Sequence, residues 1–278
     1  MVKPSLRKEM AHDAVNHHPI SIQLACAIFC VSQTCYRYDR KRSDDHQVIA
    51  RWLIKLTDEH RDWGFGLCFA YIRNIKGFKF NHKRVYRIYC ELALNLRIKP
   101  KRRIRREKPA ELIEAEHSND IWSLDFMHDN LSNGNSYRVL NVIDDYRREA
   151  LAMEADVSLP TVRVIRTLNQ LLEYRKAPKI IRCDNGPEFI SHEFQGWAKN
   201  HKIKIEYIQP GKPQQNAYIE RYNRTVRYGL LNQHLFGDIN EVQNYATKWL
   251  WFYNHEGPHK VNDAKPPLMN YFSTENCC

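Results

Sequence analysis

The spacing of hydrophobic and polar positions changes character along the 278 residues. From Asn119 onward the pattern is that of strands, predicted at 121–128, 137–144 and 149–156. Ser132-Asn-Gly-Asn135 between the first two is a hairpin-turn signal. The period then becomes helical. Pro160 opens a helix reaching about Tyr174, with Val162, Ile165, Leu168, Leu171 and Leu172 along one side. A strand at 179–184, a helix at 191–201 and a strand at 203–208 are predicted next. Gln209-Pro-Gly-Lys-Pro-Gln-Gln215 leads into a helix from Asn216 to Arg227, and an aromatic helix over Asn240–Tyr253 closes the series.

The amino half reads as helices. One is predicted at about Ser21–Phe29 and a second at Thr34–Arg40, with Ser32 as its N-cap, a helix-turn-helix pattern. His46–His60 is amphipathic through Val48, Trp52, Leu53 and Leu56, and Trp63-Gly-Phe-Gly66 ends it. A helix near Leu67–Ile75 follows. Asn81 then caps a helix whose Val85, Ile88, Tyr89 and Leu92 face a core while Lys83, Arg84 and Arg87 can meet phosphates. Lys99-Pro-Lys-Arg-Arg-Ile-Arg-Arg-Glu-Lys-Pro109 crowds six basic residues between two prolines and reads as a linker. The expected organisation is a helical helix-turn-helix region at 1–98, a basic linker at 99–118 and a catalytic domain at 119–278. Three antiparallel strands followed by helix–strand units is the order of a ribonuclease-H-like core, an α/β fold with a mixed five-stranded sheet flanked by helices.

Charge sharpens that division. Residues 1–110 hold 24 Lys and Arg against 10 Asp and Glu, whereas residues 111–278 hold 19 against 22, within a net charge of +11. A basic half beside a slightly acidic one suggests that nucleic-acid binding and chemistry are divided. A solvated basic surface is the bland reading of the same charge. No run approaches the roughly 18–20 apolar residues of a membrane span. The first 18 residues are polar and carry three histidines, so no secretory leader is expected. The eight cysteines are therefore expected as reduced thiols. Cys26 and Cys30, four apart in an apolar run, are read as two small residues on one helical face rather than a zinc pair.

Three carboxylates carry the candidate chemistry. Asp125 lies in the predicted strand Ile121-Trp-Ser-Leu-Asp125, Asp184 ends Lys179-Ile-Ile-Arg-Cys-Asp184, and Glu220, separated from Asp184 by 35 residues, lies inside a predicted helix. Hard cations prefer oxygen ligands, and a two-metal clamp needs few protein carboxylates, because phosphate and water complete the shell. Singly, Asp184 would pass for a turn residue and Glu220 for a solvated helix position. Asp144 and Asp145 are adjacent acids at a strand end; successive strand residues point to opposite faces, so turn and surface roles are expected for them. Asn216, Asn223, Arg224 and Arg227 fall near the helical face of Glu220, where they can hold DNA phosphate. Lys212 and Gln214-Gln215 lie on the preceding loop.

The motifs Trp122-Ser-Leu-Asp125-Phe, Asn141-Val-Ile-Asp-Asp-Tyr146, Arg182-Cys-Asp184-Asn-Gly-Pro-Glu-Phe189, Gln209-Pro-Gly-Lys-Pro-Gln-Gln-Asn-Ala-Tyr-Ile-Glu220-Arg-Tyr-Asn-Arg and Tyr253-Asn254-His-Glu together resemble the insertion-sequence transposases of the IS-three family, whose core is shared with retroviral integrases. The resemblance spans roughly residues 5–260. It implies a polynucleotidyl transferase that cuts element ends and joins the 3′-OH to target DNA. It also implies Asp125, Asp184 and Glu220 as catalytic residues and ligands of two Mg²⁺ ions, with Mn²⁺ as substitute. Double-stranded DNA at element ends and target, a homo-oligomer on that DNA and a fused or associated upstream-frame product are the implied partners, in the bacterial cytoplasm at the nucleoid. Arg37, Lys83, Arg84, Arg87, Lys101, Arg102, Arg103, Lys212, Asn216, Arg224 and Arg227 are the expected DNA contacts. Gly257 stands where the family often has Arg, and the tail after Pro258 departs from the familiar ending. The alternative is an inactive DNA-binding product that occupies element ends and regulates transposition.

Overall fold

The computed structural model describes residues 4–38, 45–96, 115–209 and 216–269. By its contacts the chain divides into two compact units, residues 1–48 and 49–278. The first holds α1 (Pro4–His17), α2 (Ile22–Ile28) and α3 (Gln33–Arg37) around Ala11, Ala25, Cys26 and Tyr36. Ser21 and Ser32 cap α2 and α3, each hydroxyl accepting from a backbone N–H three residues on. The paired helices were legible in the sequence; α1 was not, because it is polar on nearly every side and buries only Ala11. Cys30 corrects an expectation. It lies beyond α2 in the left-handed region (φ 51°), where Val31 N–H donates to Cys26 O at 2.9 Å and closes the helix end. Cys26 is buried and Cys30 exposed, so the two do not share a helical face.

In the second unit α4 (Asp45–Glu59) from Ile49 onward, α5 (Phe65–Ala70), a single π turn (Tyr71–Ile75) and α6 (His82–Glu91) share a core of Ile49, Leu53, Leu56, Cys68, Ile72, Val85, Ile88 and Tyr89. Asn81 caps α6 as its sequence predicts, its Oδ1 accepting from Lys83 N–H at 2.9 Å.

The rest of this unit is built on one mixed sheet. Its strands are β1 (Ile121–Asn130), β2 (Ser136–Asp144), β3 (Glu149–Asp156), β4 (Ile180–Cys183) and β5 (Lys204–Tyr207), in the order β3-β2-β1-β4-β5. β1, β2 and β3 form an antiparallel meander; β4 and β5 add in parallel on the other side of β1. The β1–β2 turn needs Gly134 at φ 86°, a conformation that favours glycine. The helices on this sheet are α7 (Thr161–Leu172), α8 (Pro187–Ile190), α9 (His192–Asn200), α10 (Ala217–Gly229) and α11 (Ile239–His255).

Alternation along the strands separates two apolar layers. Trp122, Leu124, Leu140 and Val142 face Leu168, Leu171, Phe194 and Trp197 of α7 and α9. Met127, Val139, Ile143 and Met153 face Ile219, Tyr222, Val226, Val242 and Ala246 of α10 and α11. This is the ribonuclease-H-like α/β arrangement expected from the order of elements. Cys26, Cys30, Cys35, Cys68, Cys90 and Cys183 are free thiols. Among the described residues no helix is long and apolar enough to cross a membrane.

Candidate active site

Sheet register brings the first two carboxylates together. Ser123 of β1 pairs with Arg182 of β4 in parallel. Residues two further along each strand share the same face, so Asp125 and Asp184 leave the pairing side by side. Asn141 of β2 is the cross-strand partner of Asp125 and completes a row over three strands. α10 lies on this face and carries Glu220 and, one turn on, Asn223.

Asn223 is the link between helix and strand. Its Nδ2 donates to Asp125 Oδ2 at 2.7 Å, while its Oδ1 accepts from Asn141 Nδ2 at 2.7 Å. Asp125 Oδ1 accepts from the Phe126 N–H at 2.9 Å, and Asp184 Oδ1 from the Gly186 N–H at 3.0 Å. Burial pushes the Asp125 carboxyl up to about 6; the charges of Asp184 and Glu220 add to the rise, and the Phe126 and Asn223 hydrogen bonds oppose it. Burial also raises Glu220, with Arg224 opposing.

Three mutually repelling carboxylates with only oxygen donors suit a hard divalent cation. In the arrangement described, no group of three or more His, Cys, Asp or Glu among the described residues is gathered closely enough to hold an ion. Asp184 and Glu220 are exposed, which leaves them rotamer freedom to close on one.

Beneath this row lies a buried ionic floor that corrects the surface role expected for Asp144 and Asp145. Both are 1% exposed. Asp144 Oδ2 accepts from the Ser118 hydroxyl at 2.9 Å and the Asn119 N–H at 2.7 Å, tying the entry of β1 to the end of β2. Asp145 accepts from Ser123 Oγ at 2.7 Å and Arg182 Nη1 at 2.9 Å, and Arg182 reaches Glu206 of β5 at 3.2 Å. Burial lifts the Asp145 carboxyl to about 6, opposed by Ser123 and Arg182. The strand ends at Asp144, so alternation does not govern Asp145; its N–H instead donates to Ile121 O at 3.0 Å, which turns it inward.

A second clamp joins the Asp125 strand to the Asp184 loop. Glu188 forms an ion pair with Arg138 of β2, whose guanidinium lies 4.0 Å from the centroid of Phe126, next to Asp125. Phe126 stacks on Phe189 at 5.2 Å.

Two models of the integrase core domain match the chain, one over residues 115–213 and one over residues 201–267. An uncharacterized 31.7 kDa protein of insertion element IS407 from Burkholderia multivorans is 35% identical over 254 residues, covering 89% of each chain. An uncharacterized 39.2 kDa protein of insertion element IS476 from Xanthomonas euvesicatoria is 32% identical over 96% of this chain and 77% of its own. The chain belongs to the insertion-sequence transposase family. Among solved structures, a chain of a simian T-cell lymphotropic virus intasome in complex with the PP2A regulatory subunit B56 gamma superposes with a TM-score of 0.50 at 19% identity. That match covers 77% of the transposase and 72% of the intasome chain, and it supports the fold.

The residues expected to touch DNA are placed unevenly in this transposase. Arg37 and Lys83 are exposed and Arg84 is half-buried on α6. Arg87 pairs with Glu91 at 3.5 Å, a surface contact that leaves it available. Arg224 is exposed one turn beyond Glu220. Arg227 is engaged by Asp129 at 2.7 Å and by His128 O at 2.7 Å. Asn216 is only 3% exposed and faces Leu124 O at 3.5 Å. Lys101, Arg102, Arg103 and Lys212 lie outside the described residues. Sequence reading gave Asn223 to phosphate; the structure turns it toward Asp125. The i, i+3 spacing from Glu220 was the available signal.

Proposed function

We propose that this transposase cuts and joins DNA by phosphoryl transfer at a site made of Asp125, Asp184 and Glu220. The observation that supports this most is the row Asn141–Asp125–Asp184 across three strands, faced by a helix that presents Glu220 and holds Asp125 through Asn223. The three carboxylates would hold two Mg²⁺ ions, or Mn²⁺ in their place. When bound, such ions neutralise the carboxylates, polarise the phosphoryl oxygen and acidify the attacking hydroxyl.

The chain's own groups do the positioning. Asn223 fixes the Asp125 carboxylate and favours its ionised form. The buried Asp145–Arg182 pair, with Ser123, holds β1 and β4 in the register that puts Asp125 beside Asp184. Arg224, beside Glu220, supplies positive charge for the scissile phosphate. In cleavage, water adds to phosphorus and the P–O3′ bond breaks, leaving a 3′-hydroxyl and a 5′-phosphate. In joining, that 3′-oxygen attacks a target phosphodiester, one P–O bond forms as another breaks, and the target's 3′-oxygen leaves with a proton.

The functional substrate is double-stranded element ends and target DNA, engaged by an oligomer, with the basic residues of 1–110 supplying sequence-independent affinity. Any upstream-frame product would join this assembly. Matched terminal oligonucleotides with Mg²⁺ or Mn²⁺ provide the test. Strand-transfer products that disappear in Asp184→Asn, with DNA binding retained, support the enzyme. Binding without turnover in the natural chain would instead leave the regulatory DNA-binding product.

A further inference from the structure

A cavity of about 280 Å³ lies within the second unit, on the reverse side of α10 from Glu220. At 100° per residue, Tyr218, Tyr222, Thr225 and Gly229 project roughly opposite to Glu220, Asn223 and Arg227. The cavity is therefore separate from the candidate active site while sharing its helix. Its size is just below the roughly 300–1,000 Å³ range of drug-sized ligand sites. We propose that it binds a nucleoside monophosphate unit, with the base among the aromatic walls and the phosphate at Arg148 and Arg221.

Four observations carry this. The walls are aromatic, with Trp63, Trp249 and Phe252 among the lining residues; flat indole and phenyl faces accept any base by stacking. Tyr222 is 2% exposed and its hydroxyl has no hydrogen-bond partner among the described residues. A buried phenol in that state is stabilised by a ligand that supplies one. Asp62 also lines the cavity; burial raises its carboxyl, hydrogen bonds from its backbone and the Gln233 side chain oppose that rise, and it forms no ion pair among the described residues. It lies by Trp249: a Cβ on Gly229 would stand 3.3 Å from the indole Nε1 and 3.7 Å from Asp62 Oδ2. That carboxyl can accept from an exocyclic amine or ring N–H of a base.

The fourth observation is charge. Arg148 and Arg221 line the cavity and neither forms an ion pair among the described residues. Arg221, Thr225 and Val261 are exposed and form its rim, whereas Trp63, Tyr222, Tyr253, Gly257 and Pro258 are buried. Arg148, held at φ 60°, has its guanidinium 3.3 Å from the centroid of Tyr218. A stacked guanidinium keeps its in-plane N–H groups free for phosphate oxygens. A purely apolar ligand would give the Tyr222 hydroxyl no partner, and a simple anion would match Arg148 and Arg221 but not the aromatic lining.

The nucleotide unit has two sources, a free mononucleotide or an extrahelical nucleotide of bound DNA. The full chain in EDTA would be titrated with dAMP, dGMP, dCMP and TMP by calorimetry and tryptophan fluorescence. In parallel, a duplex with one unpaired 2-aminopurine would be followed by probe fluorescence. Saturable mononucleotide binding or 2-aminopurine quenching is expected in the natural chain; the arm that responds identifies the source. Tyr222→Phe and Arg221→Ala should each weaken it about 5- to 10-fold. Thr225→Trp, at the exposed rim, should abolish it, and Asp184→Asn should leave it unchanged. No saturable signal in either arm would overturn the proposal. So would a signal indifferent to Arg221→Ala and Tyr222→Phe in variants whose circular dichroism and melting match the natural chain.

Discussion

Replacing Asn223 with Leu tests how the site keeps Asp125 ready. The perturbation is nearly isosteric but removes the 2.7 Å donor to Asp125 Oδ2. A hydrogen bond to a charged group contributes about 2 kcal/mol. One unit of pKa corresponds to about 1.4 kcal/mol, so the Asp125 carboxyl, at about 6 in the natural chain, should rise to between about 7 and 8. At pH 7 the natural carboxyl is ionised roughly ten to one; in the variant the protonated form is as common or commoner. Protons then compete with metal. Mn²⁺ affinity at pH 7 should fall about 2- to 10-fold and recover as pH rises toward 9. Asn141 also loses its acceptor, and its own Oδ1 is already buried without a partner, so a stability loss of about 1–3 kcal/mol accompanies the change. The double variant Asn141→Leu/Asn223→Leu should regain part of that stability without regaining the metal profile. Calorimetric Mn²⁺ titrations from pH 6 to 9 make the measurement. A variant with the natural affinity and the natural pH midpoint would show that Asn223 does not set the state of the Asp125 carboxyl.

Other outcomes follow from the same geometry. Arg182→Met strands the Asp145 carboxylate, whose side chain is 0% exposed, and should cost about 3–5 kcal/mol in urea unfolding; Asp145→Leu/Arg182→Met should cost much less, and equal losses would count against a buried pair. His259 is half-buried and desolvation depresses it to about 4, so between pH 6.5 and 4 the unfolded chain takes up a proton that the folded chain refuses, and stability falls as pH falls through that window. His259→Gln should flatten this part of the profile relative to the natural chain, and parallel profiles would exclude the assignment. Gly134→Ala forces a side chain into φ 86° and should cost about 1–2 kcal/mol by thermal unfolding, with strand transfer otherwise retained.

Much of the fold was legible because its signals are local. Alternation marked β1, β2 and β3, Ser132-Asn-Gly-Asn135 marked their first turn, and the Ser32 and Asn81 caps marked α3 and α6. Local signals also misled. Val48 was expected on the core face of α4, yet Ile49 is the fully buried residue there. α8 was hidden because Asn185-Gly-Pro187 reads as a turn, while Pro187 in fact begins a short helix.

The candidate site divides in the same way. Asp125, Asp184 and Glu220 stand on strand, strand end and helix as their neighbours predicted, because each element announces itself within a few residues. Their supporting partners come from far along the chain. Asp145 finds Arg182 37 residues later, and Asp125 finds Asn223 98 residues later. No periodicity within one element encodes such pairings; sheet order and the crossing of α10 create them.

Asp125, Asp184 and Glu220 are proposed to act as one phosphoryl-transfer site. Strand transfer with pre-cleaved terminal oligonucleotides and Mn²⁺, run on Asp125→Asn, Asp184→Asn and Glu220→Gln with DNA binding measured in parallel, tests it most directly. Each substitution should abolish joining while binding persists. Joining that survives any one of the three would contradict it.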